Sequence, residues 1–190
     1  GGRLFGGDRG SGLGVLRWGG GVVVWERGGA RGVGELVSDE SGAGRDVGER
    51  GRGEVGAVLA EGGEWPARRA RHYNRTPATD TTPAAIFVNA MDTNPHAPLP
   101  EVVLDKTMAD FDRGLVAISK LTEGKTYLCV EPGSEIENGL TADVTVEHFT
   151  GPHPAGTAGV HIHTLEPVSR SKTVWAIGYQ DGAAIGKLFA

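Results

Sequence analysis

From residue 84 onward, the chain alternates between apolar runs and amphipathic segments. Four apolar runs predict strands, at residues 84–90, 126–130, 144–149 and 172–177. Between the first two runs, apolar residues recur at gaps of three and four from Val103 to Ile118, which predicts one amphipathic helix. A final short helix is expected over residues 182–189, with Asp181 as its cap. This order of elements is typical of an α/β fold, a mostly parallel sheet with flanking helices.

The first third of the chain is dominated by glycine, since 22 of the 32 glycines precede Trp65. Three short runs with β character, at residues 3–5, 13–16 and 22–25, are separated by turn residues and indicate a small β unit. Residues 28–53 approach low complexity and predict a linker. Residues 54–61 then predict a short helix with Val55, Val58 and Leu59 on one face.

Composition excludes several classes of function. The formal charge of −5 and the pI near 5.7 argue against nucleic acid as a partner. Four arginines cluster between residues 68 and 75, and such a short basic segment is usually a solvated surface. Cys129 is the single cysteine, so no internal disulfide can form. No apolar run approaches the ~20 residues that span a bilayer. A link to a membrane is therefore expected only through partner proteins.

Candidate chemistry concentrates in residues 151–163, which read GPHPAGTAGVHIH. His161 and His163 would share one face of a strand but not of a helix. A metal site needs three or four convergent ligands, and no cysteine pair or HExxH motif accompanies His153, His161 and His163. We therefore favour imidazoles that hydrogen-bond the backbone of a tight loop. His153 and Asp92 could form a base and its orienting acid, but no nucleophile motif completes a triad.

Two polar segments follow strands that are expected to be parallel. The turn Asp92-Thr93-Asn94-Pro95 and the glycine-rich loop from residue 151 should both lie at carboxyl ends of strands, where such sheets bind ligands. They are therefore expected side by side, with Gly156 allowing close backbone contact. Free N–H groups at the next helix start would favour an anion or a polar carbonyl. Contact with a neighbouring protein is an equally open interpretation.

Three aromatic residues in the last part of the chain allow two interpretations. Trp175, Tyr179 and Phe189 could contact a flat ring such as a quinone. Single aromatics in predicted strands and helices are more often part of the core, which is the interpretation that we favour. No glycine-rich loop suited to a flavin or dinucleotide phosphate follows a predicted strand in the second half of the chain.

A set of motifs in the second half resembles a known family. In order, these are AIFVNAMDTNP from residue 85, LTEGK from 121, GPHPAG from 151 with HIH from 161, PVS from 167, KTVW from 172, and YQD from 179 with IGKLF from 185. Together they closely resemble the A subunit of the bacterial Na⁺-translocating NADH:quinone oxidoreductase. The resemblance extends from Trp65 to Phe189 and is much fainter before Trp65.

The resemblance implies a domain organisation. Residues 1–27 are similar to the end of a biotinyl/lipoyl-like N-terminal β domain, residues 28–64 would be a glycine-rich linker with a short helix, and residues 65–190 would form a Rossmann-like α/β domain. The C-terminal domain of the family, which is β-grasp-like, would be absent. The chain also begins without methionine and ends in mid-pattern, and we expect it to be a fragment.

The resemblance also implies a function. The whole complex would pass electrons from NADH through FAD, FMN, riboflavin and a 2Fe-2S centre to ubiquinone, and export sodium. Its A subunit would be peripheral, at the cytoplasmic face of the bacterial inner membrane, with no resident cofactor or metal. The fragment would contribute to quinone-side interaction and assembly with the other subunits, without catalytic residues of its own.

Seven residues are candidates for the quinone-side or subunit contact. They are Asp92, Thr93, Asn94, His153, Gly156, His161 and His163. The alternative from a different class is an independent Rossmann-like nucleotide-binding oxidoreductase. That alternative would require NADH or flavin to bind the isolated chain.

Overall fold

A single mixed sheet organises the molecule, as seen in a computed structural model that describes residues 3–5, 13–18, 21–27, 47–71 and 73–190. Within these ranges the strands are β1 (Arg3–Phe5), β2 (Leu13–Trp18), β3 (Gly21–Arg27), β4 (Arg69–Arg71), β5 (Ala85–Asn89), β6 (Lys125–Val130), β7 (Thr145–Thr150) and β8 (Val174–Gly178). Their order across the sheet is β1-β2-β3-β7-β6-β5-β8-β4.

The four central strands run parallel. β5 pairs with both β6 and β8, and β6 pairs with β7, while β4 is antiparallel at the edge beside β8. Each central strand lies within two residues of the run that predicted it. For the five strands β4 to β8, the predicted mostly parallel α/β sheet is therefore confirmed. Since β5, β6, β7 and β8 point the same way, their carboxyl ends form one border of the sheet, which we term the carboxyl edge.

Besides the helical residues 47–49, the described part of the chain contains five α-helices. They are α1 (Arg52–Glu61), α2 (Pro100–Leu104), α3 (Met108–Ser119), α4 (Ala158–Leu165) and α5 (Tyr179–Leu188). None of these helices is long and apolar enough to span a membrane. Helix α1 begins two residues before its predicted start and buries Val55 and Leu59, while Val58 is half-buried.

Two details of the predicted helices are wrong. The single helix expected over residues 103–118 is divided into α2 and α3, because Thr107 leaves helical geometry with φ −127° and ψ 15°. Asp181 does not cap the last helix, because the helix begins at Tyr179 with Gly178 as its N-cap. Asp181 instead lies in the first turn, where its carboxylate accepts a hydrogen bond from the Gly178 N–H. Burial raises the pKa of Asp181 above its ordinary value in spite of that bond.

The sheet is covered on both faces by apolar side chains. Helices α1, α3 and α5 cover one face, with Phe111, Trp175 and Ile185 in the cluster beneath them. Helix α4 covers the other face, above Phe87 and Phe149. Trp175, Tyr179 and Phe189 are all buried, which confirms their interpretation as core.

The N-terminal strands extend this sheet. β1, β2 and β3 pair in sequence as an antiparallel meander, and β3 joins β7 with Trp25 opposite Phe149. The three runs predicted to be β are therefore confirmed as strands. Their assignment to a biotinyl/lipoyl-like domain, and the division at residues 27 and 64, stay predictions. Of the linker predicted at residues 28–53, residues 28–46 lie outside the described residues.

Arg68 departs from the predicted solvated surface. Arg69 and Arg75 are exposed and Arg71 is half-buried, whereas Arg68 is fully buried. Its guanidinium carbon lies 4.1 Å from the centre of the Trp65 ring, and Nη2 donates to the Glu64 carbonyl at 3.3 Å. Nε and Nη1 are buried without a hydrogen-bond partner. Desolvation accordingly lowers the pKa of Arg68 to about 10.

Arg68→Met is therefore expected to stabilise the fold. Methionine retains apolar contact with Trp65 and removes two buried donors that lack partners, so the free energy of unfolding should rise by roughly 1–3 kcal/mol. Urea unfolding followed by far-UV circular dichroism measures the change. Arg69→Met, at the exposed neighbour, is the matched control and should shift stability by less than about 0.5 kcal/mol. A destabilised Arg68→Met variant would contradict the interpretation.

Candidate functional site at the carboxyl edge

The turn after β5 and the loop after β7 touch each other at the carboxyl edge, as predicted. Gly156 is held from both sides, since its N–H donates to Thr93 Oγ1 at 2.9 Å and its carbonyl accepts from Asn89 Nδ2 at 2.8 Å. Asn89 is the last residue of β5, and Thr93 lies in the turn that follows it. These two hydrogen bonds hold the loop against the turn.

The turn after β5 is stabilised by its own side chains. Asp92 Oδ1 accepts from the Asn94 backbone N–H at 2.9 Å and from Asn94 Nδ2 at 2.6 Å. Asn89 Oδ1 accepts from the Met91 N–H at 3.2 Å. Such aspartate and asparagine bonds to nearby backbone donors fix a turn without regular secondary structure. The turn therefore presents Asp92, Thr93 and Asn94 in a defined arrangement.

Close approach explains the glycine at position 156. A Cβ atom built there would lie 2.6 Å from the Thr93 nitrogen, a distance that side-chain carbons do not tolerate. Helix α4 begins two residues later, after Thr157 as its N-cap. The small residue thus allows the loop to reach the turn before the chain enters the helix.

Gly156→Ala is expected to separate the loop from the turn. Relief of the clash requires loss or lengthening of the bonds to Thr93 and Asn89, and such overpacking costs about 1–3 kcal/mol of stability. Chemical denaturation measures the loss, and amide exchange at residue 156 reports whether the N–H has lost its acceptor. Gly159→Ala, where no atom lies within 4 Å of the added carbon, is the control and should retain wild-type exchange at residue 156. Retention of slow exchange in Gly156→Ala would show that the contact is not as tight as described.

His153 is the exposed histidine of the site. Its Nδ1 lies 3.3 Å from Thr93 Oγ1, so it belongs to the same polar cluster as Gly156. No hydrogen bond to Nε2 occurs within the described chain. The imidazole can therefore present Nε2 to a ligand or a neighbouring protein.

His161 and His163 do not join His153. Both lie in α4, where a spacing of two places them on opposite sides of the helix. His161 is fully buried, while His163 is exposed. Among the residues that the structure describes, no three histidine, cysteine, aspartate or glutamate side chains are placed to hold a metal.

His161 supports the loop from inside the core. Its Nε2 donates to the Ala155 carbonyl at 2.7 Å, and its ring lies 4.1 Å from that of Phe149, centre to centre. Nδ1 is buried without a hydrogen-bond partner. Burial lowers the pKa of His161 to about 4, which keeps the ring neutral near pH 7. Its role in this structure is to position Ala155, next to Gly156.

Sequence reasoning missed Asn89 at this site, and it interpreted Tyr179 as a core residue. Asn89 ends the predicted first strand, and a polar residue at the carboxyl end of a buried strand was the available signal. Tyr179 starts α5 directly after β8, with its hydroxyl accepting from Gln180 Nε2 at 3.2 Å. Burial and the nearby Asp92 carboxylate raise the pKa of Tyr179, so its hydroxyl keeps its proton.

The cluster favours neutral polar ligands over anions. It offers the His153 imidazole, the Thr93 hydroxyl and the Asn94 amide beside the Asp92 carboxylate, and none of these four side chains is a lysine or arginine. The Asn94 amide and the His153 imidazole can donate to a carbonyl oxygen, whereas Asp92 would repel a phosphate. A carbonyl-bearing ligand or a polar protein surface therefore fits this edge.

Comparison with known proteins identifies relatives of this chain. Residues 51–190 match the family described as the NqrA second alpha/beta domain. The A subunit of the Na⁺-translocating NADH-quinone reductase of Neisseria meningitidis serogroup C is 50% identical over 137 residues, 72% of this chain. The same subunit of Serratia proteamaculans is 49% identical over 138 residues, and that of Hahella chejuensis is 48% identical over 138 residues, each 73% of this chain. The matched part spans 31% of the length of each relative.

Proposed function

We propose that this chain, which belongs to the NqrA family and contains its second alpha/beta domain, acts in the A subunit of a Na⁺-translocating NADH:quinone reductase. In that complex it contributes to quinone-side contact and to assembly with the other subunits. It lies at the cytoplasmic face of the membrane and reaches the bilayer only through those subunits. Alone it does not catalyse the reaction, and it holds none of the complex's flavins or its iron–sulfur centre.

The observation that supports the proposal is the pair of hydrogen bonds that join Gly156 to Thr93 and Asn89 at the carboxyl edge. It fixes His153 beside Thr93, with Nε2 available to donate to an acceptor. A quinone ring carries two carbonyl oxygens that accept such hydrogen bonds. Preformed placement of donors lowers the entropic cost of binding, which supports a contact made by this edge.

The alternative of a nucleotide-binding enzyme has weaker support from the same edge. Dinucleotide-binding sheets place a glycine-rich turn after their first strand, so that backbone N–H groups approach the pyrophosphate. After β5 this chain has Asp92-Thr93-Asn94-Pro95, and the Asp92 carboxylate already occupies the Asn94 N–H. A negatively charged phosphate would meet a negatively charged turn there.

Binding and co-purification together separate these two functions. A tagged chain expressed with the remaining subunits should co-purify with them, and the isolated chain should show no saturable binding of NADH or FAD in calorimetry. Thr93→Val should weaken co-purification or lower quinone reduction by the complex several-fold, since it removes the acceptor of the Gly156 N–H and the partner of His153. Arg75→Gln, an exposed change remote from the edge, is the control. Saturable NADH binding by the isolated chain would favour the nucleotide-binding enzyme.

A further inference from the structure

A cavity lies on the α4 side of the molecule, apart from the hydrogen bonds of Gly156 at the carboxyl edge. It is an open cavity of about 270 Å³ between β4, α4 and the segment that follows α4. Its lining residues are Arg71, Gly159, Ile162, His163, Pro167 and Val168. Among these, only His163 was a candidate residue for the quinone-side contact, and the structure separates it from His153.

The floor of this cavity is apolar. Ile162 is almost fully buried, Val168 is half-buried and Pro167 is exposed at the border. Gly159 opens the helix side, because no atom lies within 4 Å of the position that its Cβ would take. The space can therefore receive a short hydrocarbon chain without displacement of backbone.

The rim of the cavity carries two nitrogen donors. Within the described residues, the Nε of the Arg71 side chain is buried without a hydrogen-bond partner. A buried donor that lacks an acceptor costs free energy, which a bound anion would recover. His163 is exposed in the last turn of α4 and offers an imidazole N–H at the same cavity. Glu166, the acidic residue that follows α4, does not compete for Arg71, because it is paired with Lys172.

We propose that this cavity binds a carboxylate that carries a short apolar chain. The carboxylate lies on the Arg71 guanidinium, whose planar donors match two carboxylate oxygens, and it also accepts from His163. The chain lies on Ile162, Pro167 and Val168. A volume of about 270 Å³ has room for one short chain, which the terminal residue of a polypeptide or a small free acid can supply. This site requires neither quinone nor the assembled complex, so it does not depend on the proposed function.

Titration of the 190-residue chain with hexanoate, followed by two-dimensional amide NMR, tests this inference. We expect saturable shifts centred on residues 159–163, with hexan-1-ol binding at least tenfold more weakly. Arg71→Gln should weaken hexanoate at least tenfold, whereas Arg75→Gln, at an exposed neighbouring arginine, should bind as wild type. His163→Phe changes an exposed side chain, so its fold should persist, and it should weaken hexanoate several-fold.

Binding of a short peptide distinguishes the two possible sources of the ligand, a polypeptide C-terminus and a small free acid. Acetyl-Gly-Leu with a free carboxylate should bind, and the same peptide with a C-terminal amide should not. Tighter binding of the peptide than of hexanoate would identify a polypeptide C-terminus as the ligand, and the reverse would identify a small acid. Equal binding of hexanoate and hexan-1-ol, or unchanged binding in both Arg71→Gln and His163→Phe, would overturn the proposal.

Discussion

Gly186→Ala is expected to lower the free energy of unfolding by about 3 kcal/mol or more, the largest effect that we expect of a single added methyl group in the described part of the fold. Helices α3 and α5 cross with their backbones in contact at this point. A Cβ atom at position 186 would lie 1.6 Å from the Asp110 carbonyl oxygen and 2.7 Å from the Gly114 nitrogen. Since both neighbours are backbone atoms, no change of side-chain rotamer relieves the clash.

The consequence is separation of the two helices. Gly114 makes the same contact from the other side, with its Cβ position 2.0 Å from the Gly182 carbonyl oxygen. To admit a methyl group, α5 would have to move away from α3, and the buried Phe111 and Ile185 would lose packing. A typical domain is stable by only about 5–15 kcal/mol, so this loss is a large fraction of the whole.

The measurement is urea unfolding at fixed pH, with Gly53→Ala as the matched control. Gly53 lies in α1, and no atom lies within 4 Å of the carbon that alanine would add. Alanine at this helical position should be neutral or should stabilise the fold by up to about 1 kcal/mol. The same substitution should therefore have opposite effects at the two positions. If Gly186→Ala were as stable as Gly53→Ala, the described crossing of α3 and α5 would be wrong.

His161 is expected to make the fold sensitive to acid. Its pKa falls from an ordinary 6.5 to about 4 on burial, so the unfolded chain takes up the proton first as pH decreases. The contribution of this residue to stability is complete above pH 6.5, declines between pH 6.5 and 4, and is lost below pH 4. A pKa difference of this size corresponds to about 3 kcal/mol of folding stability lost across this pH range.

His161→Gln isolates that contribution. Glutamine has no proton to gain in this range and retains a donor that can reach the Ala155 carbonyl. The variant should be less stable than wild type near pH 7, because the glutamine side chain packs less well than the imidazole ring against Phe149. The difference should shrink or reverse as the pH falls to about 4.5, since only wild type loses the His161 contribution. Parallel curves for the two proteins across this range would contradict a neutral buried His161.

Much of the fold could be predicted because its strands are short, apolar and bounded by turn residues. The division between α2 and α3 could not be seen in the apolar spacing, which continues across Thr107. A second signal was present, since Thr107 precedes Asp110 by three residues, a pattern typical of a helix start. The charged residues around Arg68 gave no indication that it is buried, because its burial depends on contact with the Trp65 ring.

The site could be predicted in position but not in detail. Because parallel strands end at one edge, the positions of the Asp92 turn and the Gly156 loop in the chain were enough to place them together. The roles of His161 and His163 depend on where α4 begins. With the start at Ala158, a spacing of two separates them, and sequence alone left that boundary open. Asn89 was missed because its amide bridges to Gly156, 67 residues further along the chain.

We propose that the carboxyl edge contributes to quinone-side contact in the assembled complex. Photo-labelling of that complex with a photo-reactive ubiquinone, followed by tryptic peptide mapping, tests it most directly. We predict label on the peptides spanning residues 76–106 or 126–170, which hold the Asp92 turn and the loop. Label should be reduced by excess ubiquinone and by Gly156→Ala. Label confined to the other subunits, with these two peptides unmodified, would contradict a quinone-side contact at the carboxyl edge.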